Sequence, residues 1–191
     1  MYKAVREYVQ GYEGITYVYG NFRNWIQPWI STTFDAQPIM DVDESVDERI
    51  IIGDLASSCN REALKKQGIT HVVNAILGGS ERFPDFEYKN FPLRDIPEEQ
   101  IHEFFAESNT YFDQVLNESP DNKIFIHCIC GVSRSSTLLA AYLMYKLQLS
   151  AEDAVTSIQK CRPVVQPNEG FMEQLENYQK TLELLNTVPK L

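Results

Sequence analysis

A cysteine, an arginine six residues on and a serine directly after it stand in one short run, His127-Cys-Ile-Cys-Gly-Val-Ser-Arg-Ser135. An apolar run, KIFIHC, precedes this stretch and another, STLLAAYLMYKLQL, follows it, so it reads as a tight turn between a buried strand and a buried helix. A turn running into a helix N-terminus aims backbone N–H groups at one point with the positive end of the helix dipole behind them, which makes an anion site. Gly131 allows the tight bend. Arg134 offers a planar fork that can hold two oxygens of a phosphate. A thiol in such surroundings ionises below its usual pKa of about 8.5. Cys128 is therefore the candidate nucleophile for attack on phosphorus through a cysteinyl-phosphate intermediate. Ser135 is placed to donate a hydrogen bond to the sulfur and help it leave. His127 is better placed to hold the loop through the backbone near Cys128 than to act as a base.

Departure of the leaving group needs a proton, supplied by a carboxylic acid on another loop. Asp95, in FPLRDIPEEQ, stands at the end of a predicted strand, 33 residues before Cys128. Both residues could open onto the same end of a sheet. Spacing alone leaves the alternative open that Asp95 is a solvated surface carboxylate.

The elements that must position these groups alternate along the chain. RIIIGD is a short buried strand. Asn60 caps a helix over REALKKQ, which Gly68 ends. ITHVVNAIL and YKNFPL are further strands. Ile101, Phe104, Phe105, Phe112 and Val115 recur near helical spacing and predict an amphipathic helix over 100–117. Ser150 to Asp153 has a capping-box pattern for another helix. The last helix carries Phe171, Leu175, Tyr178, Leu182 and Leu185 as a stripe. The expected fold is α/β, a central and mostly parallel sheet flanked by helices. It occupies residues 46–187, behind an extension over 1–45. That extension holds both tryptophans, Trp25 and Trp29, five tyrosines, and the start of the acidic run DVDESVDE, Asp41 to Glu48. The run reads as a solvated linker or as a docking site for a basic partner.

The chain has 191 residues and a formal charge of −10, from 27 acidic and 17 basic side chains. Such a balance disfavours nucleic acid and anionic membrane surfaces as partners. No apolar run approaches the ~20 residues of a membrane helix. The start MYKAVREYVQ lacks the apolar core of a secretory signal. With four cysteines and no such signal, the expectation is a reducing compartment, the cytoplasm, with nuclear access open. Cys59 and Cys161 are expected to be buried packing residues. His71 and His102 are expected to be structural.

His127–Ser135 resembles the H-C-x5-R-S signature of the cysteine-based protein phosphatases, in the dual-specificity branch, and is most similar to catalytic domains of the MAP kinase phosphatase type. The resemblance covers about residues 47–185. Five features agree in order: GDLASS, ITHVVNA, PLRD ahead of a helix, HCICGVSRS with AYLMYKL after it, and RPVVQPNEGFMEQL. It implies Cys128 as nucleophile, Arg134 as phosphate clamp, Asp95 as general acid and Ser135 as an aid to thiolate departure. It implies a phosphate loop of Ile129, Cys130, Gly131, Val132, Ser133 and Arg134. Asn168 matches a position read as bracing the active-site region, and His127 is likewise supporting. No metal or other cofactor is implied.

The implied activity is hydrolysis of phosphoserine, phosphothreonine and phosphotyrosine in proteins, with a kinase as a target by analogy. Three other readings are weighed against it. One is a phosphate-binding pseudophosphatase module, which would keep the fold and lose the chemistry. Another is a phosphatase of phosphoinositides or RNA 5′ ends, whose members tend to carry lysines in the loop; here Ile129, Cys130, Val132 and Ser133 are uncharged. The last is a metal site at His127, Cys128 and Cys130, to which Arg134 would be an awkward neighbour. Cys130 departs from the small or polar residue often found at its position. It reads as an apolar filler or, with poor disulfide geometry, as a redox partner of Cys128.

Overall fold

The computed structural model describes residues 37–38, 48–78 and 82–187. The aromatic-rich extension and all of the acidic run except Glu48 lie outside the described residues, apart from Gln37 and Pro38.

Five strands form one sheet in the order β1-β2-β5-β3-β4. They are β1 (Gln37–Pro38), β2 (Ile50–Gly53), β3 (His71–Asn74), β4 (Glu87–Asn90) and β5 (Ile124–His127). Only β1 is antiparallel to its neighbour, pairing Gln37 with Ile52. The other four run parallel, with Ile50 opposite Ile124, His71 opposite Ile124 and His71 opposite Glu87. Strands covered on both faces need apolar side chains on both, which is why RIIIG and KIFIH are nearly continuous apolar runs rather than alternating ones.

The two-residue period sorts those side chains. Ile50, Ile52, Val73, Ile124 and Ile126 enter the large core on one face. Ile51, Val72 and Phe125 enter a smaller cluster on the other, with Leu64, Ile69 and Phe86. The smaller cluster is covered by α2 (Arg61–Lys66), through Leu64, and by Ile69 just after it, while α1 (Leu55–Ser58) sends Leu55 into the large core. The Asp54 side chain caps α1 by accepting from the Ser57 amide at 2.8 Å. Asn60 caps α2 by accepting from the Ala63 amide at 3.1 Å, and Gly68 exits at φ 74°, as expected.

The large core is covered by α3 (Phe105–Glu118), α4 (Arg134–Leu147), α5 (Ala151–Cys161) and α6 (Glu169–Thr187). Helix α4 is buried from Arg134 through Met144, so its apolar all-round sequence marks the central helix. Ser150 caps α5 by accepting from the Asp153 amide at 3.0 Å.

Three expectations are corrected. The helix foreseen over 100–117 is broken into a 3₁₀ turn, Ile101–Phe104, and α3. The His102 amide bonds the Gln174 side chain of α6 at 3.1 Å, so docking on α6 tightens that first turn. The apolar stripe of α6 holds for Phe171 and Leu175, but Leu185 is 65% exposed. In the last turn of α6 Asn186 donates to Gln148, just past the end of α4. Cys59 and Cys161 are half-buried rather than buried: each stands at a helix end, and Cys161 packs against the edge of the large core.

Candidate active site

Cys128 directly follows β5, and Arg134 opens α4, so the loop between them sits at the carboxyl ends of the parallel strands. Ligands of open α/β sheets bind at that end. The Cys128 side chain is buried and its Sγ is ringed by donors. The Gly131 amide lies 3.2 Å away and the Ser135 hydroxyl 3.4 Å away. Gly131 stands at φ 62°, the left-handed bend that brings its N–H inward. A Cβ there would come within 2.4 Å of the Gly53 carbonyl oxygen, so β2 leaves no room for a side chain.

Burial works against the Cys128 thiolate. The Arg134 guanidinium and the Ser135 hydroxyl and amide outweigh it, and the thiol is held below its ordinary pKa. Arg134 is itself buried. Its Nη1 donates to the Leu93 carbonyl at 3.4 Å and its Nε lies 3.8 Å from Asp95 Oδ2. Among the described residues Arg134 Nε has no hydrogen-bond partner. A buried, under-satisfied guanidinium beside a thiolate suits an oxyanion with several oxygens to share.

Asp95 Oδ1 accepts two hydrogen bonds, from Ser133 Oγ at 2.7 Å and from Asn168 Nδ2 at 3.0 Å. The Asn168 amide donates to Ser133 Oγ at 3.1 Å, which closes the network. Oδ1 is thus occupied as an acceptor, and Oδ2 is the oxygen turned toward Arg134. A cysteine thiolate, a guanidinium and a carboxyl group in this order can displace a leaving oxygen from phosphorus and protonate it.

The sequence-derived residues thus converge. Cys128, Ile129, Cys130, Gly131, Val132, Ser133, Arg134 and Ser135 form one turn, and Asp95 closes on it from the end of the segment after β4. Ser133, assigned to the phosphate loop, turns its hydroxyl to Asp95 instead of to the loop centre. Asn168 does more than brace the region, because it touches the carboxylate directly. His127 Nδ1 lies 3.1 Å from the Cys128 carbonyl, holding the backbone as expected. Burial pushes the His127 imidazole down to about 4, so it is neutral at physiological pH. Cys130 is half-buried, and burial, then the Cys128 charge, push its thiol up to about 12. It stays protonated where Cys128 ionises. His71 is buried against Thr70, and His102 lies in the 3₁₀ turn against Gln174.

Sequence reasoning missed four contributors. Asp54 caps α1, whose Leu55 amide donates to the Ile129 carbonyl at 3.1 Å. Arg162 donates from Nε to the Gly131 carbonyl at 3.0 Å and from Nη2 to the Cys130 carbonyl at 3.2 Å. Gln174 Nε2 donates to the Glu99 carbonyl at 2.9 Å, tying α6 to the segment that carries Asp95. Gly170 packs so closely on that segment that a Cβ would lie 2.1 Å from the Pro97 carbonyl oxygen. The signals were the motifs GDLASS, which contains Asp54, and RPVVQPNEGFMEQL, which contains the other three, and neither shows what these residues touch.

The model of the dual specificity phosphatase catalytic domain matches residues 50–181. Human dual specificity protein phosphatase 9 is 34% identical over 138 residues, which is 71% of this chain and 35% of that protein. Mouse dual specificity protein phosphatase 19 is 31% identical over 131 residues, 68% of this chain and 59% of that protein. The chain therefore spans less than two thirds of the length of either. Among solved structures, the human tyrosine phosphatase-like serine/threonine/tyrosine-interacting protein superposes with a TM-score of 0.70 at 26% identity. That match covers 80% of this chain and 99% of the other.

Proposed function

The chain belongs to the dual specificity phosphatase catalytic-domain family, and from that membership we propose that it hydrolyses phosphoserine, phosphothreonine and phosphotyrosine in proteins through a cysteinyl-phosphate intermediate. The observation that carries this reading is the Cys128 sulfur, held below its ordinary pKa within hydrogen-bonding reach of Gly131 N and Ser135 Oγ.

In the first step the Cys128 thiolate attacks phosphorus and the P–O bond to the substrate side chain breaks. Arg134 and the inward amides of the loop hold the non-bridging oxygens as charge redistributes. Asp95 gives its proton to the departing oxygen. In the second step Asp95 takes a proton from water, the water oxygen attacks phosphorus, and the S–P bond breaks. Ser135 donates to the leaving sulfur. A phosphoprotein, with a kinase as one class, is the substrate this chemistry and the acidic chain favour.

The similarity to a phosphatase-like interacting protein motivates the rival reading of a phosphate-binding module without turnover. Cys128, Arg134 and Asp95 all present and mutually oriented favour the enzyme. One experiment separates the two: phosphate release from a peptide carrying both phosphothreonine and phosphotyrosine, with Cys128→Ser protein as the blank. Release from both residues by the wild type alone is expected. No release above the blank would overturn the phosphoprotein phosphatase reading, and phosphoinositides and RNA 5′ ends would be assayed next.

A further inference from the structure

An anion-binding loop needs its amides to face the centre, and adjacent peptide units make this a question of where the carbonyls go. Each pinned outward carbonyl turns the N–H of its own peptide unit inward. Buried carbonyls turned away from the ligand must find donors in the protein.

The accounting for six consecutive carbonyls is complete. The Cys128 carbonyl faces His127 Nδ1 at 3.1 Å and the Ile129 carbonyl accepts from the Leu55 amide at 3.1 Å. The Cys130 and Gly131 carbonyls accept from Arg162 Nη2 and Nε at 3.2 and 3.0 Å. The Val132 carbonyl accepts from the Gln166 amide at 2.8 Å and the Ser136 hydroxyl at 2.7 Å. The Ser133 carbonyl accepts from the Ser136 and Thr137 hydroxyls, each at 2.7 Å.

Two of these six depend on a single side chain, and they flank the left-handed bend at Gly131. That side chain is a guanidinium, on a residue 2% exposed that caps the C-terminus of α5 just beyond Cys161. A guanidinium presents donors in a fixed fork, so one group can hold two successive carbonyls in register, which an ammonium cannot. The Gly131 amide bonded to Cys128 Sγ belongs to the same peptide unit as the Cys130 carbonyl that Arg162 Nη2 holds.

We infer that Arg162 is a positioning residue for the active-site loop, pinning the Cys130 and Gly131 carbonyls outward so that the amides on either side of the Gly131 bend face the oxyanion. This rests on the loop being the phosphate site of the proposed reaction, and it concerns Arg162 only through the loop. It touches no substrate.

The test compares Arg162→Met and Arg162→Lys with the wild type, using tungstate affinity measured by calorimetry and the pH profile of Cys128 alkylation by iodoacetate. Tungstate binding needs no turnover, so this result stands apart from whether the chain proves to be an enzyme. Arg162→Met is expected to weaken tungstate binding by about tenfold or more, the order of one lost hydrogen bond to a charged group. Its alkylation midpoint is expected to move to higher pH. Arg162→Lys keeps the charge but reaches one carbonyl, so a smaller loss is expected. If Arg162→Met does not fold, Arg162→Lys carries the test. Leu64→Ala, in the cluster on the far face of the sheet, provides a destabilised control expected to bind tungstate as the wild type does. Variants at Arg162 that lose stability like Leu64→Ala yet keep wild-type tungstate affinity and alkylation profile would overturn the inference.

Discussion

The turn that carries Cys128 and the segment that carries Asp95 meet at the 2.7 Å hydrogen bond from Ser133 to Asp95 and again where Arg134 Nε lies 3.8 Å from Asp95 Oδ2, yet they are held by different means. The turn is anchored through its main chain, carbonyl by carbonyl, and its bend has no space for a side chain. The Asp95 segment is anchored through side chains from distant positions: Ser133, Asn168 and Gln174, 38 to 75 residues away in sequence. Six pinned carbonyls share the load, so loosening the turn takes the loss of a donor that holds more than one of them, as Arg162 does. A side-chain clamp can be loosened one hydrogen bond at a time. The difference implies that nucleophile and anion binding form one unit, and that proton delivery is separable from it.

The sharpest separation is expected from Asp95→Asn. Turnover of esters with poor leaving groups, such as phosphothreonine peptides, should fall by about 10²–10⁴-fold. A p-nitrophenyl ester, whose leaving group needs little protonation, should be far less affected, and tungstate binding should persist. Equal slowing of both esters would remove Asp95 as the acid.

Two glycines make a matched pair. Gly131→Ala places a Cβ against the Gly53 carbonyl and in left-handed backbone, at a cost of at least about 1–2 kcal/mol from the backbone alone. It should lower both stability in urea and tungstate affinity. Gly170→Ala instead pushes on Pro97 and the Asp95 segment. It should slow poor leaving groups while sparing tungstate affinity. The same loss of tungstate binding in both variants would show the two regions to be one.

Ser133→Ala removes one donor to Asp95 Oδ1 and should slow turnover of poor leaving groups by about tenfold, in line with one hydrogen bond to a charged group. Comparing kcat on phosphothreonine and p-nitrophenyl esters reads this directly, since a purely structural effect would slow both alike.

The last effect is read in stability rather than in turnover, and concerns pH. His127 has its pKa lowered from 6.5 to about 4 by burial. The unfolded chain therefore binds a proton that the folded one refuses between those values. The stability from burying the neutral ring is present above about pH 6.5 and is lost as pH falls toward 4, by about 3 kcal/mol in all. A Tm series over this range should fall with pH, and the slope should flatten in His127→Gln. An unchanged slope would place the acid sensitivity elsewhere.

Much of this molecule is legible in its sequence because its signals are local. RIIIGD, ITHVVNAIL and KIFIHC declare buried strands by their apolar runs, and Asn60, Gly68 and Ser150 mark helix ends. Cys128, Gly131, Arg134 and Ser135 lie within eight residues, so a strand, a turn and a helix suffice to bring them together. Asp95 was only a candidate by spacing and became specific through the resemblance of PLRD to a family pattern. The split at 101–104 and the exposed Leu185 were not legible, because both depend on where α6 docks.

By itself, then, the sequence determined the α/β architecture, the nucleophile, the cation beside it and the anion-binding character of the turn between them. Only the tertiary structure decided which oxygen of Asp95 takes the Ser133 and Asn168 hydrogen bonds, that Ser133 serves the acid rather than the loop centre, and that Arg162 holds the turn from outside. Periodicity and caps encode contacts within a few residues. A hydrogen bond across 31 or 73 residues exists only once the sheet and helices have packed, and its partners leave no periodic trace in the chain.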